Sequence, residues 1–200
     1  LREADLLTVR DDGAGELIDL PQTPAWCLAD HQLGHIYVAD AADVERVAAL
    51  FRGRAGIAEV LVGPERAKYD LDHPRSGEVV LVSTPNSWQA YYWWEDDAKA
   101  PQFARNVDIH RKPGYDPVEL FIDPKIRFPM LKIAWFLLKK SLGFKALMEV
   151  ISQDASLVKG SHGRIPEDPL DWPVLIAPAG ASLPAQIAST DVYAQIVRGF

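Results

Sequence analysis

The side chains best suited to chemistry in this sequence are its five histidines, and their surroundings group them. His31 follows Asp30, His73 follows Asp72, and His110 lies two residues after Asp108. His162 stands between Ser161 and Gly163, and His35 lies four residues after His31. Neutral imidazoles and carboxylates that converge on one point hold metal ions, so histidines beside aspartates in loops are raw material for a metal site. No cysteine pair and no HExxH spacing marks a closed zinc site. The competing reading is a set of capping or surface histidines satisfied by the neighbouring aspartates.

Three clusters read more sharply. Asp72-His73-Pro74-Arg75-Ser76-Gly77-Glu78 leads into an expected strand, where Arg75 can offer two N–H groups to a phosphate. A tight Pro/Ser/Gly turn with an exposed arginine accounts for the same residues. In Asp108-Ile109-His110-Arg111-Lys112-Pro113-Gly114-Tyr115-Asp116, Asp108 and His110 alternate, and an extended backbone turns both to one side, as for two ligands of one ion. A solvated loop with local ion pairs is the alternative. In Gly160-Ser161-His162-Gly163-Arg164 the small neighbours leave His162 open to close approach by a ligand or metal. A structural histidine in a Ser/Gly turn is the alternative there. The single cysteine, Cys27, lies in an apolar run and reads as a buried, inert thiol.

The elements that must position these loops are short. Leu1 to Leu7 reads as the last turns of an amphipathic helix, which suggests a fragment of a longer chain. Leu7 to Arg10 and Glu16 to Leu20 read as a hairpin around Asp11-Asp12-Gly13-Ala14-Gly15. Further strands are expected at Ala25–Leu28, Gly34–Val38, Ala58–Val62 and Glu78–Ser83. Asp40 caps a helix carrying Val44, Val47, Ala48 and Phe51 at helical spacing, with Gly53 past its end. Strand, helix, strand in that order predicts a βαβ-like or ferredoxin-like unit. The fold class is α/β with mixed α+β character. Residues 1–84 form a mixed strand and helix unit, and 85–127 a loop-rich aromatic and charged insertion broken by prolines. Residues 128–200 then hold a helical hairpin, a strand at Pro173–Ala177 and a closing helix near Val192–Val197. In the hairpin, Leu131, Trp135, Leu138 and Leu142 share one face, which predicts core.

Ala29-Asp30-His31-Gln32, the Leu71–Glu78 and Val107–Asp116 segments and Gly160-Ser161-His162-Gly163 together resemble the carboxy-terminal part of bacterial type I phosphodiesterase/nucleotide pyrophosphatase proteins, of the alkaline phosphatase superfamily. The resemblance covers nearly the whole chain. It implies the carboxy-terminal portion of an alkaline-phosphatase-like fold, and a hydrolase of phosphoric ester or anhydride bonds that uses divalent metal, usually zinc. It implies metal ligation by His162, with His110 and Asp108 as the other candidates, and substrate binding by His73, Arg75, His31 and Lys112. The family's nucleophile lies in an amino-terminal half that this sequence does not contain, so the chain alone is expected to be inactive.

Composition bounds the partners. Six Trp, seven Phe and six Tyr in 200 residues exclude global disorder. A net charge of −7 repels phosphate backbones, so nucleic acid is not an expected partner, whereas a small phosphate-containing substrate beside a metal is. The longest apolar run, near Ile133 to Leu138, falls far short of the ~20 residues that span a bilayer, so no membrane partner is expected. No secretory signal is visible, which points to the cytoplasm. Uncovered sheet edges and apolar surface predict a homo-oligomer. A second reading is a non-catalytic binding or assembly module whose partner surface is the aromatic cluster Trp88 to Trp94, together with the apolar helix.

Overall fold

The computed structural model describes residues 1–107, 121–181 and 183–199. They form two compact units, Leu1–Arg164 and Ile165–Phe200. The class is mixed α/β with antiparallel sheets.

In the first unit a hairpin of β1 (Val9–Asp11) and β2 (Glu16–Ile18) precedes a four-stranded sheet. That sheet comprises β3 (Ala25–Asp30), β4 (Leu33–Val38), β5 (Ile57–Val62) and β6 (Val79–Ser83), in the order β3-β4-β6-β5. β6 reads Val-Val-Leu-Val-Ser and is buried along its whole length, as a central strand covered on both faces must be. Its residues alternate: Val79 and Leu81 join Leu6, Ala25 and Ile36 in one core, while Val80 and Val82 join Leu61 on the other face. The short helix α1 (Val44–Ala49) closes the first face with Val47 and Ala48. Asp40 starts the preceding turn by accepting a hydrogen bond from the Ala42 N–H at 2.9 Å.

Of the two expected arrangements, βαβ-like or ferredoxin-like, the strand order is that of the second. β4 and β5 do not pair with each other; β6 lies between them, antiparallel to both. β4 and β5 therefore run parallel on either side of β6, with α1 as the crossover. This is the split βαβ of a ferredoxin-like unit, its remaining edge supplied by the preceding hairpin strand β3.

Other expectations differ from the fold. The opening residues form only a 3-10 turn, Arg2–Ala4, which ends where Asp5 takes a left-handed φ of 56°. Leu6 is then free to enter the core, and Arg2 pairs with the buried Glu16 at 2.5 Å. The second short helix expected after α2 (Pro129–Ser141), carrying Leu147 and Val150, does not form. Leu147 to Ile151 is extended, because its backbone bonds to neighbouring strands of chain: Val107 N–H to Met148 C=O, Ile151 N–H to Arg105 C=O and Asp123 N–H to Val150 C=O. The α2 face expected in the core is on the outside. Pro173–Ala177 is not a strand; among the described residues it has no ladder partner, and Val174 and Ile176 are exposed. The closing helix α3 (Val192–Arg198) forms as expected.

His35 on β4 gives the sheet a pH dependence. Its Nδ1 accepts a hydrogen bond from the Gly77 N–H at 3.2 Å, which requires an unprotonated nitrogen. Burial, and secondarily Arg66, lowers its pKa below the ordinary 6.5. The unfolded chain therefore takes up this proton more readily than the folded one. The stabilisation is present above about pH 6.5 and is lost as pH falls from there toward the lower folded value. Urea unfolding across that window should show a steeper loss for the native protein than for His35→Gln. Parallel curves would contradict this.

Candidate functional site

The tip of the β3–β4 hairpin is a two-residue loop, His31-Gln32, since Asp30 pairs with Leu33. His31 takes a φ of +53°, a conformation that glycine adopts freely and that costs other residues about 1–2 kcal/mol. Non-glycine residues held this way cluster at functional sites. Surrounding bonds hold the loop: the Gln89 N–H donates to His31 C=O at 2.6 Å, and Ser83 N–H to Gln32 C=O at 2.9 Å. The Gln32 side-chain amide donates to Pro85 and Ser87 carbonyls, each at 3.1 Å.

The Ser161-His162-Gly163 segment docks on this tip from far along the chain. Gln32 N–H donates to His162 C=O at 2.8 Å. The His31 and His162 rings stack with centroids 4.4 Å apart and planes 19° apart. Ser161 Oγ lies 2.9 Å from His31 Nδ1, which leaves Nε2 as the nitrogen of that ring able to reach a metal or a substrate oxygen. Gly163 makes the approach possible: its φ is +114°, and a Cβ there would stand 2.7 Å from Asp30 O and 3.1 Å from Gln32 N. Next in the chain, the Arg164 guanidinium donates to Ser83 C=O at 3.1 Å.

Aromatic rings wall His31. Trp88 lies 6.0 Å from the His31 ring, and Tyr91 meets it edge-on at 6.4 Å. Tyr91 and Gln89 also line a cleft of about 320 Å³ that runs past Ala29 and Cys27. His31 is 8% exposed, whereas His162 is exposed, on a loop, as its small neighbours predict. Burial pushes the Cys27 thiol up to about 12, so it is an inert neighbour rather than a nucleophile.

The fold thus brings together two of the sequence-derived candidates, His31 and His162. It does not bring His73 and Arg75 to them. These lie on the loop that enters β6 at its Val79 end, where Tyr37 Oη donates to Arg75 C=O at 3.0 Å. The length of β4, roughly 17 Å at about 3.4 Å per residue, separates that end from His31. His73 instead accepts the Arg75 N–H at its Nδ1, at 3.1 Å, and shapes its own turn. One phosphate cannot touch both ends. Asp108, His110 and Lys112 lie outside the described residues. Among the described residues, no group of three or more His, Cys, Asp or Glu side chains converges as a metal site. Trp93 and Trp94, expected on the alternative reading to offer a partner surface, are each 6% exposed. They form a second core with Ala104, and the Trp93 indole N–H donates to Glu16 C=O at 2.8 Å.

The sequence did not expose Ser161 as the partner of His31, nor Trp88 and Tyr91 as walls. Nothing local signals a contact across that length of chain. Gly163 was the one visible clue, since a glycine after a histidine marks close approach. No protein-family model, curated protein or solved structure matches this chain.

Proposed function

We propose that this chain supplies one edge of the active site of a metal-dependent phosphodiesterase or nucleotide pyrophosphatase, as the carboxy-terminal portion of an alkaline-phosphatase-like fold. The observation that carries the reading is the meeting of His31 and His162 on a strained hairpin tip. Both belong to motifs that resemble that family. Zinc takes three or four protein ligands; in a near-parallel stack the ring nitrogens lie in separate planes, so the pair offers one imidazole to the ion with the other packed on its face. Asp108 and His110 are the remaining candidates for the set. A bound divalent metal, zinc on this reading, supplies polarisation of the phosphoryl oxygens and stabilisation of the charge on the leaving oxygen.

The chain's own residues have narrower tasks. Ser161 fixes the His31 ring through Nδ1 and so aims Nε2. Gly163 admits the His162 loop against the hairpin. Trp88 and Tyr91 limit water on one side of His31. The nucleophile comes from residues outside this sequence.

The test has two arms. This chain alone, with zinc or manganese added, should not turn over bis-p-nitrophenyl phosphate. In a longer protein that contains it and is active, His162→Ala should lower turnover by about 100-fold and lower bound metal with it. Turnover by the chain alone that disappears on mutating one of its own residues would overturn the fragment reading. Full activity and metal content in the variant would overturn the site.

A further inference from the structure

Between Asp123 and Glu149 the sequence carries Lys125, Arg127, Lys132, Lys139, Lys140 and Lys145 and no acidic residue, in a protein of net charge −7. α2 fills the middle of this stretch, and none of its residues is buried. At about 100° per residue, Met130, Leu131, Trp135, Leu137, Leu138 and Leu142 fall on one continuous arc. All of them are exposed, Leu131 by 68% and Leu142 by 64%. The half-buried Pro129, Ile133 and Phe136 lie on the other side. Apart from Trp135, which also lines a cleft with Leu147 and Met148, the apolar arc is turned away from the other described residues of Leu1–Arg164. Lys132 and Lys139 border the arc, and Lys139 Nζ sits 5.2 Å from the centre of the Trp135 ring. Phe128 and Phe144 continue the exposed apolar surface at the two ends.

A contiguous apolar surface of this kind marks an interaction site, and charge selects the partner. A second copy packed α2 against α2 would set one all-cationic stretch against another, with no carboxylate between Pro124 and Met148 to pair with. An anionic lipid surface answers both halves of the pattern: leucines and a tryptophan enter the acyl boundary, while flanking lysines reach the headgroups. We propose that α2 docks the protein on an anionic phospholipid surface, lying in the plane of the interface. Among the described residues no helix is long and apolar enough to cross a membrane, but a helix lying in the interface need not cross one.

Sedimentation of the whole chain with vesicles tests this. Binding to phosphatidylcholine vesicles containing phosphatidylglycerol should be at least about tenfold tighter than to phosphatidylcholine alone. It should collapse when salt shortens the Debye length to about 3 Å. Lys139→Glu with Lys140→Glu should cost about tenfold or more, and Lys132→Glu serves as a second variant if the first does not fold. Equal binding to both vesicle types, or binding indifferent to these changes, overturns the proposal. So does absence of vesicle binding, whether the chain instead captures poly-glutamate, as an acidic protein partner would predict, or self-associates in a way that Leu138→Glu abolishes.

Discussion

Gly163→Ala should destabilise the protein by about 2–3 kcal/mol and pull the His162 loop away from the hairpin tip. Two penalties act at once. The φ of +114° is strained for any residue with a side chain, and the new Cβ would meet backbone, which cannot swing aside. The nearest atoms, Asp30 O and Gln32 N, belong to the tip that holds His31. Relief therefore means undocking, and undocking breaks the Gln32–His162 hydrogen bond and the ring stack. Gly160→Ala is the matched control: nothing lies within 4 Å of its Cβ position, so stability should change by less than about 0.5 kcal/mol. Urea unfolding of both variants measures the difference. Equal stability of the two would show that the loop does not dock as described.

Gly77→Ala should cost as much or more, about 3 kcal/mol, for a different reason. Gly77 has an ordinary φ, but a Cβ there would lie 2.6–2.9 Å from three backbone atoms of Ile36. Ile36 is fully buried on β4, directly opposite Val79 of β6. The clash would push the two central strands apart and also break the hydrogen bond from Gly77 N–H to His35. Arg66, which donates to Gly77 C=O at 2.8 Å, would lose its anchor. The expected signs are a large drop in urea midpoint and loss of the His35-dependent slope with pH. A variant with native midpoint and slope would contradict this packing.

Where sequence and fold agree, one local signal dominated. The Val-rich run of β6 could only be a buried strand, and Asp40 ahead of Val44, Val47 and Ala48 could only start a helix. Where they differ, the deciding interaction was not local. Pro173–Ala177 has the composition of a strand, but composition cannot supply a sheet edge to pair with. The α2 periodicity identifies an apolar face without saying what covers it, and the fold leaves that face outside. The site divides the same way. His162 with its flanking Ser161 and Gly163 was legible, because small neighbours expose a side chain. Its meeting with His31 was not, since it depends on a loop docking across the sheet edge. His73 and Arg75 looked equivalent to His31 in sequence, and only strand direction sends them to the opposite end.

On the proposed function His31 and His162 act as one metal-facing pair. Zinc titration followed through the NMR resonances of isotope-labelled histidine rings tests it directly, because all five histidines are read at once and assigned by single substitutions. His31 and His162 should respond together at the same zinc concentration, while His35 and His73 should not. His31→Gly should abolish the His162 response while the hairpin tip keeps its backbone conformation, since glycine adopts the positive φ freely. If zinc leaves both rings unmoved, or moves His162 equally well when His31 is glycine, the pair is not a metal site.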